Sequence, residues 1–112
     1  MRFYVKRNEN FTTICIDEAV CNSVTAGAIK NFILDNVSDN DRNLIIDCTR
    51  VDVMDTVFLG AMVFALKKLK SEKSISFVYK KDNAQSSTIM LSSSLSNYFN
   101  LFDNLFDAEK LY

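Results

Sequence analysis

The stretch that decides the fold is Leu44-Ile45-Ile46-Asp47-Cys48-Thr49-Arg50-Val51-Asp52-Val53-Met54-Asp55-Thr56-Val57-Phe58-Leu59-Gly60. Leu44 to Cys48 is a short, strongly apolar run between polar flanks, the pattern of a central buried strand. A polar-apolar mix follows, and from Thr56 to Leu69 the period changes. Leu59, Met62, Val63, Leu66 and Leu69 recur at i, i+3, i+4, i+7 and i+10, one face of a helix. Phe58, Ala61 and Ala65 widen the apolar side, and Lys67, Lys68 and Lys70 complement the helix dipole at its end. A solvated helix end accounts for those lysines more simply than a membrane-surface role.

The same alternation extends outward. Upstream, Phe3–Lys6 and Phe11–Asp17 are β-type runs separated by Arg7-Asn8-Glu9-Asn10, which reads as an opening hairpin. Both faces of the second run carry β-formers, so that strand is either covered on two sides or near an edge. From Ser23 to Val37 the spacing of Ile29, Phe32, Ile33 and Val37 predicts a helix, with Asn22 or Ser23 as its cap. Downstream, Ser74–Tyr79 reads as a strand, and Asn83 can cap a third helix running to about Ser92. In Leu95–Tyr112 the spacing of Phe99, Phe102, Phe106 and Leu111 is roughly helical, with a short strand around Leu105-Phe106 as the alternative. There is no linker, repeat or boundary signal. The order β-β-α-β-α-β-α points to a single α/β domain over residues 1–112, with right-handed crossovers laying the helices on a sheet of four to five strands.

Composition narrows the chemistry. The chain has 112 residues, 48% of them apolar, with no His, no Pro and two Gly, Gly27 and Gly60, both inside predicted helices. Turns therefore rest on Asn, Asp and Ser. Fourteen acidic residues against thirteen basic ones give a net charge of −1, which carries no footprint for nucleic acid. Without His, a Ser-His-Asp triad, a Cys-His pair and a His-ligated metal are all excluded within this chain. Cys15, Cys21 and Cys48 are odd in number and lack C-x-x-C spacing, which argues for packed free thiols in a reducing, cytoplasmic setting. The N-terminus has no signal-peptide h-region, and the longest apolar stretch, Val57–Leu66, is about half of a membrane span. No cofactor is implied. A catalyst would have to draw on Cys48, Asp47 or Asp55, and no base partner for a thiol is visible.

The chemistry worth weighing sits at residue 55. Asp55 is a natural N-cap, because its carboxylate can accept the orphan amides of the first turn. Thr56 then occupies the first helical position with its hydroxyl toward solvent. A phosphate there would meet the positive end of the helix dipole and add about two negative charges beside Asp55. On local signal alone an ordinary capping pair is the simpler account.

Leu44–Val51, followed by Met54-Asp55-Thr56-Val57-Phe58-Leu59-Gly60, resembles the STAS domain of bacterial anti-sigma factor antagonists. There a strand of the type l-v-l-D-l-s-x-V precedes x-D-S/T-S-G-L-G at a helix start. Thr25-Ala26 is similar to the family's Thr-Ala early in its first helix, and Phe106-Asp107-Ala108-Glu109-Lys110-Leu111 to its closing s-x-E-E-A-l. The resemblance covers nearly the whole chain. It implies a mixed sheet of four to five strands with helices mainly on one face. It also implies a non-enzymatic domain that binds an anti-sigma serine kinase and is switched by phosphorylation.

Carried over by position, Thr56 is the phosphoacceptor, with Asn22, Asp55, Val57, Phe58, Leu59 and Gly60 as partner-binding residues. Asn22 falls where the family often has Asp in the loop before its first helix. Val57 and Phe58 stand where the motif has Ser and Gly, and Ala19-Val20-Cys21-Asn22 replaces the family's Gly-rich loop. Phe58 is then either an aromatic anchor for a partner or part of the buried helix face. The departures also fit a constitutive STAS scaffold, or a subunit of a signalling or lipid-transport complex that is never phosphorylated.

Overall fold

The computed structural model describes residues 2–69, 71–82 and 94–112. The chain opens with a hairpin. β1 (Phe3–Arg7) runs antiparallel to β2 (Thr12–Ile16), in register from Phe3↔Ile16 to Arg7↔Thr12. Asn8 closes the turn, its Oδ1 accepting from the Asn10 and Phe11 amides at 2.8 and 2.9 Å, an Asx turn in a chain without proline.

β4 (Asn43–Asp47), β6 (Ser74–Val78) and β7 (Asn100–Phe102) follow, and the sheet order is β1-β2-β4-β6-β7. Every pairing after the hairpin is parallel, so the five-stranded sheet is mixed. All five residues of β2 are buried, which resolves its two-sided patterning: it lies between β1 and β4 and is covered on both faces.

Two helices bridge the parallel strands, α1 (Ser23–Asn36) and α2 (Thr56–Lys67). Alternation along the strands assigns the faces. Ile14, Ile16, Leu44, Ile46, Ile75 and Phe77 pack in one cluster with Ile29 and Ile33 of α1 and Phe58, Met62, Ala65 and Leu66 of α2. Ile45 and Val78 turn the other way, onto Ala108, Leu105 and Tyr112 around α3 (Leu105–Lys110). The longer helices share one face and the short one covers part of the other.

Two elements differ from the expectation drawn from sequence. The C-terminal stretch is neither one helix nor a strand at Leu105-Phe106. It makes a 3-10 turn (Ser94–Asn97), then β7, then α3, because Asn104 Oδ1 accepts from the Asp107 amide at 2.8 Å and starts the helix at Leu105. The second difference is a pair of two-residue strands, β3 (Val20–Cys21) and β5 (Val53–Met54), forming a small parallel ladder of their own. The helix expected from Asn83 to Ser92 lies outside the described residues.

The small ladder positions the helix starts. Val20 pairs with Val53 and Cys21 with Met54, and each strand ends one residue before a helix cap. Val20-Cys21-Asn22-Ser23-Val24 and Val53-Met54-Asp55-Thr56-Val57 therefore repeat one plan at a constant offset, with Gly27 and Gly60 three residues further on. Two strand-cap-helix units stand side by side.

Candidate functional site

Asp55 caps α2 as its residue type predicts. Its Oδ1 accepts from the Phe58 amide at 2.9 Å, its carbonyl from the Leu59 amide at 3.2 Å, and its own amide donates to the Cys21 carbonyl at 3.0 Å. The last contact ties the start of α2 to β3. Thr56, the first helical residue, is exposed, and so are Val57 and Gly60. A hydroxyl in that place is open to an incoming enzyme and lies at the positive end of the helix.

Asn22 caps α1 through a reciprocal pair. Its Oδ1 accepts from the Val24 amide at 2.9 Å, and its amide donates to Thr25 Oγ1 at 2.9 Å, a capping box with Thr in the returning position. Because Cys21 and Met54 are ladder partners, the residues that follow them, Asn22 and Asp55, stand at neighbouring helix starts.

Two of the expected contact residues turn inward. Phe58 is wholly buried and Leu59 nearly so. The Phe58 ring lies 6.5 Å from that of Phe3, which in turn meets Phe32 edge-on at 5.8 Å. The aromatic at position 58 thus fills the space between hairpin and helices, and its ring is not a surface anchor. The pitch of the helix explains this, since 58, 62, 65 and 66 fall on the buried face while 56, 57 and 60 fall outside it.

Three exposed valines escaped sequence reasoning. Val20, Val24 and Val53 join Val57 in an apolar rim around the two helix starts, Val24 being 79% and Val57 54% exposed. The signal was available in the matched plan of the two units, where a valine sits two residues before and two after each cap. Loops at the carboxyl ends of the strands complete this end. Asp47 Oδ1 accepts from the Thr49 amide and hydroxyl at 3.0 and 2.6 Å, and Arg50 reaches Asp17 at 3.3 Å.

The thiols close to this end are packing groups. Cys21 and Cys48 are buried. Burial, then the Glu18 and Asp55 charges, pushes the Cys21 thiol up to about 12. Burial chiefly raises Cys48 well above the usual thiol range. Neither supplies a thiolate near neutral pH. Among the described residues no group of three or more His, Cys, Asp or Glu could hold a metal, and no helix is long and apolar enough to cross a membrane.

Comparison with known proteins bears on the fold. The family model for the STAS domain matches residues 3–108. The fold is similar to the crystal structure of an anti-sigma factor antagonist from Mycobacterium paratuberculosis, with a TM-score of 0.79, 22% identity, and coverage of 98% of this chain and 92% of that one. It is also similar to the NMR structure of the protein TM1081, with a TM-score of 0.73, 18% identity, and coverage of 98% and 87%. No curated protein matches the sequence significantly.

Proposed function

Because the chain belongs to the STAS domain family, we propose that it is a regulatory protein-binding domain of the anti-sigma factor antagonist type, switched by phosphorylation at Thr56. One observation carries this reading: Thr56 presents an exposed hydroxyl at the first position of α2, beside the capping Asp55 and inside a rim of exposed valines. In the unmodified state the rim and the helix start form a contact surface for an anti-sigma serine kinase in the cytoplasm. A phosphate on Thr56 is held by the helix dipole yet puts about two negative charges into that apolar surface, where desolvating them opposes docking. The chain itself supplies no catalysis.

The test is incubation with the serine kinase encoded in the same operon or genome, with phosphate mapped by mass spectrometry. Phosphate is expected on Thr56 and is lost in Thr56→Ala. Thr56→Glu is expected to weaken kinase binding by at least ~10-fold, about 1.4 kcal/mol. No phosphate on Thr56 together with unchanged binding by Thr56→Glu sinks the reading.

A second reading has its own observation. Val57 is more than half exposed where the family motif carries Ser, and Val20, Val24 and Val53 extend the apolar area. Such a surface suits a constitutive scaffold or a subunit of a signalling or lipid-transport complex, held by one partner whatever the state of Thr56. Pull-down with wild type and Thr56→Glu separates the two: a stoichiometric partner retained equally by both favours the scaffold.

A further inference from the structure

The outer face of α2 carries exposed apolar residues between its polar ends. Phe58, Leu59, Met62, Ala65 and Leu66 already face the core, yet Val57, Gly60 and Phe64 are exposed beside Thr56, Lys67 and Lys68, with half-buried Ala61 at the edge of this face, packed against the core. Val57 and Phe64 are 54% and 47% exposed. Lys30 Nζ and Lys68 Nζ lie over the Phe64 ring, at 5.1 and 4.9 Å from the centroid.

Gly60 adds a second feature. A Cβ there would meet nothing within 4 Å, and no glycine has positive φ. The fold of the single chain gives no reason for a residue that weakens a helix interior. An exposed glycine between Val57 and Phe64 does let a second backbone come close.

We propose that this face is a self-association surface, across which α2 of two copies of this chain pack antiparallel about a two-fold axis between Gly60 and Ala61. The face is self-complementary in that orientation. Val57 of one copy meets Phe64 of the other, and Gly60 meets Ala61, with about 16 Å of helix from Val57 to Lys68 in the contact. The charges select the same direction. The amino end of α2 carries Asp55, with exposed Asp52 just before it, and the carboxyl end carries Lys67 and Lys68. An antiparallel pair brings each lysine end onto the partner's acidic end, twice by symmetry, and sets the helix dipoles head to tail. A parallel pair would juxtapose like charges. Lys80 already contacts Asp52, so Asp55 is the freer target. The contact is small and the dimer weak, in the micromolar to millimolar range. It covers Val57 and the approach to Thr56, so self-association and partner docking compete.

The inference does not rest on any kinase, and its test uses the chain alone. Sedimentation velocity from about 10 µM to about 1 mM spans the weak-dimer range. Wild type is expected to move from monomer to dimer, with the dimer weakened by added salt. Phe64→Glu, at an exposed position, is expected to keep its circular dichroism and weaken dimerisation at least ~10-fold. Cysteine substitutions fix the geometry against a low background, since Cys15, Cys21 and Cys48 are buried. Gly60→Cys should form a disulfide with itself on oxidation, while Lys68→Cys should not. A monomer at every concentration overturns the proposal and leaves the face to a different partner. A dimer indifferent to Phe64→Glu, or one that cross-links through Lys68→Cys with itself, overturns it as well.

Discussion

Asp41 shows how much of a fold one side chain can hold. Its Oδ1 accepts from Thr12 Oγ1 at 2.8 Å and Arg7 Nε at 3.2 Å, and its Oδ2 from Arg7 Nη2 at 3.2 Å and the Ser38 amide at 2.9 Å. Lys73 then donates to the Ser38 and Asp41 carbonyls at 2.8 and 2.7 Å. The hairpin, the loop after α1 and the approach to β6 are joined there. Burial alone would raise the Asp41 carboxyl. The hydrogen bonds from Arg7, Ser38 and Thr12 and the Arg7 charge overcome it and hold the group far below the usual carboxylate range. The sign of the linkage follows. A depressed folded pKa contributes stability in full above the unfolded value, near 3.8, and loses it as pH falls further toward the folded value. Asp41→Asn is therefore expected to cost about 1.5–3 kcal/mol at pH 7, from lost charge-assisted bonds. Urea midpoints at pH 7 and pH 3 should show the gap between wild type and variant narrowing on acidification. From sequence, Asp41 belongs to the Ser38-Asp39-Asn40-Asp41 breaker of α1. Its ties are invisible there because Arg7 and Thr12 lie some thirty residues away in the chain. The caps Asn22 and Asp55 are legible, since their hydrogen bonds reach only two or three residues ahead.

At the scale of elements, what the chain announces is what has a period. α1, α2, β2 and β6 carry enough turns or alternations to be read, β4 is read from its unbroken apolar run, and the ends of all five shift by one or two residues at most. β3 and β5 have two residues apiece and no period to detect, yet they align the two helix starts. Phe58 illustrates the other limit. Its type fits both core and interface, and only the sheet behind the helix decides that it is core. Restoring the family's glycine at this position is thus expected to damage this chain. Phe58→Gly removes a wholly buried ring, at about 3–5 kcal/mol, and adds about 1 kcal/mol of helix penalty. Thermal melts should show the variant largely unfolded well below the wild-type midpoint. The two real glycines predict the opposite sign. Gly27→Ala and Gly60→Ala each place a methyl in open space at an ordinary helical φ, and each should gain about 0.5–1 kcal/mol in a denaturant titration. At Gly60 the same methyl should weaken self-association, so that stability and dimerisation move in opposite directions.

For the whole molecule, the sheet has two unequal faces, and their coupling is the property least visible in sequence. The larger core gathers Ile14, Ile46 and Phe77 of the sheet against α1 and α2. The smaller one, around Ile45, Val78 and Ala108, is completed by a polar clasp. The Tyr112 hydroxyl lies 2.8 Å from Ser74 Oγ and 3.1 Å from Ser76 Oγ, and Ser76 is wholly buried in the middle of β6. The aromatic part of Tyr112 packs near Phe11, with ring centroids 6.1 Å apart. The closing helix is thereby anchored across the second face, from β6 to the segment leading into β2. A buried serine that loses its partner carries the desolvation cost of an unpaired hydroxyl, about 1–3 kcal/mol, whereas removing both partners is nearly neutral. Tyr112→Phe alone is accordingly expected to lower stability by that amount. Ser76→Ala alone should cost less, because Tyr112 keeps Ser74. The double variant should recover part of the Tyr112→Phe loss, with a coupling of about 0.5–2 kcal/mol in a double-mutant cycle measured by urea unfolding. Hydrogen exchange locates the effect: in Tyr112→Phe, amides of α3 should lose protection before those of α1 and α2, because α3 is the helix next to the clasp.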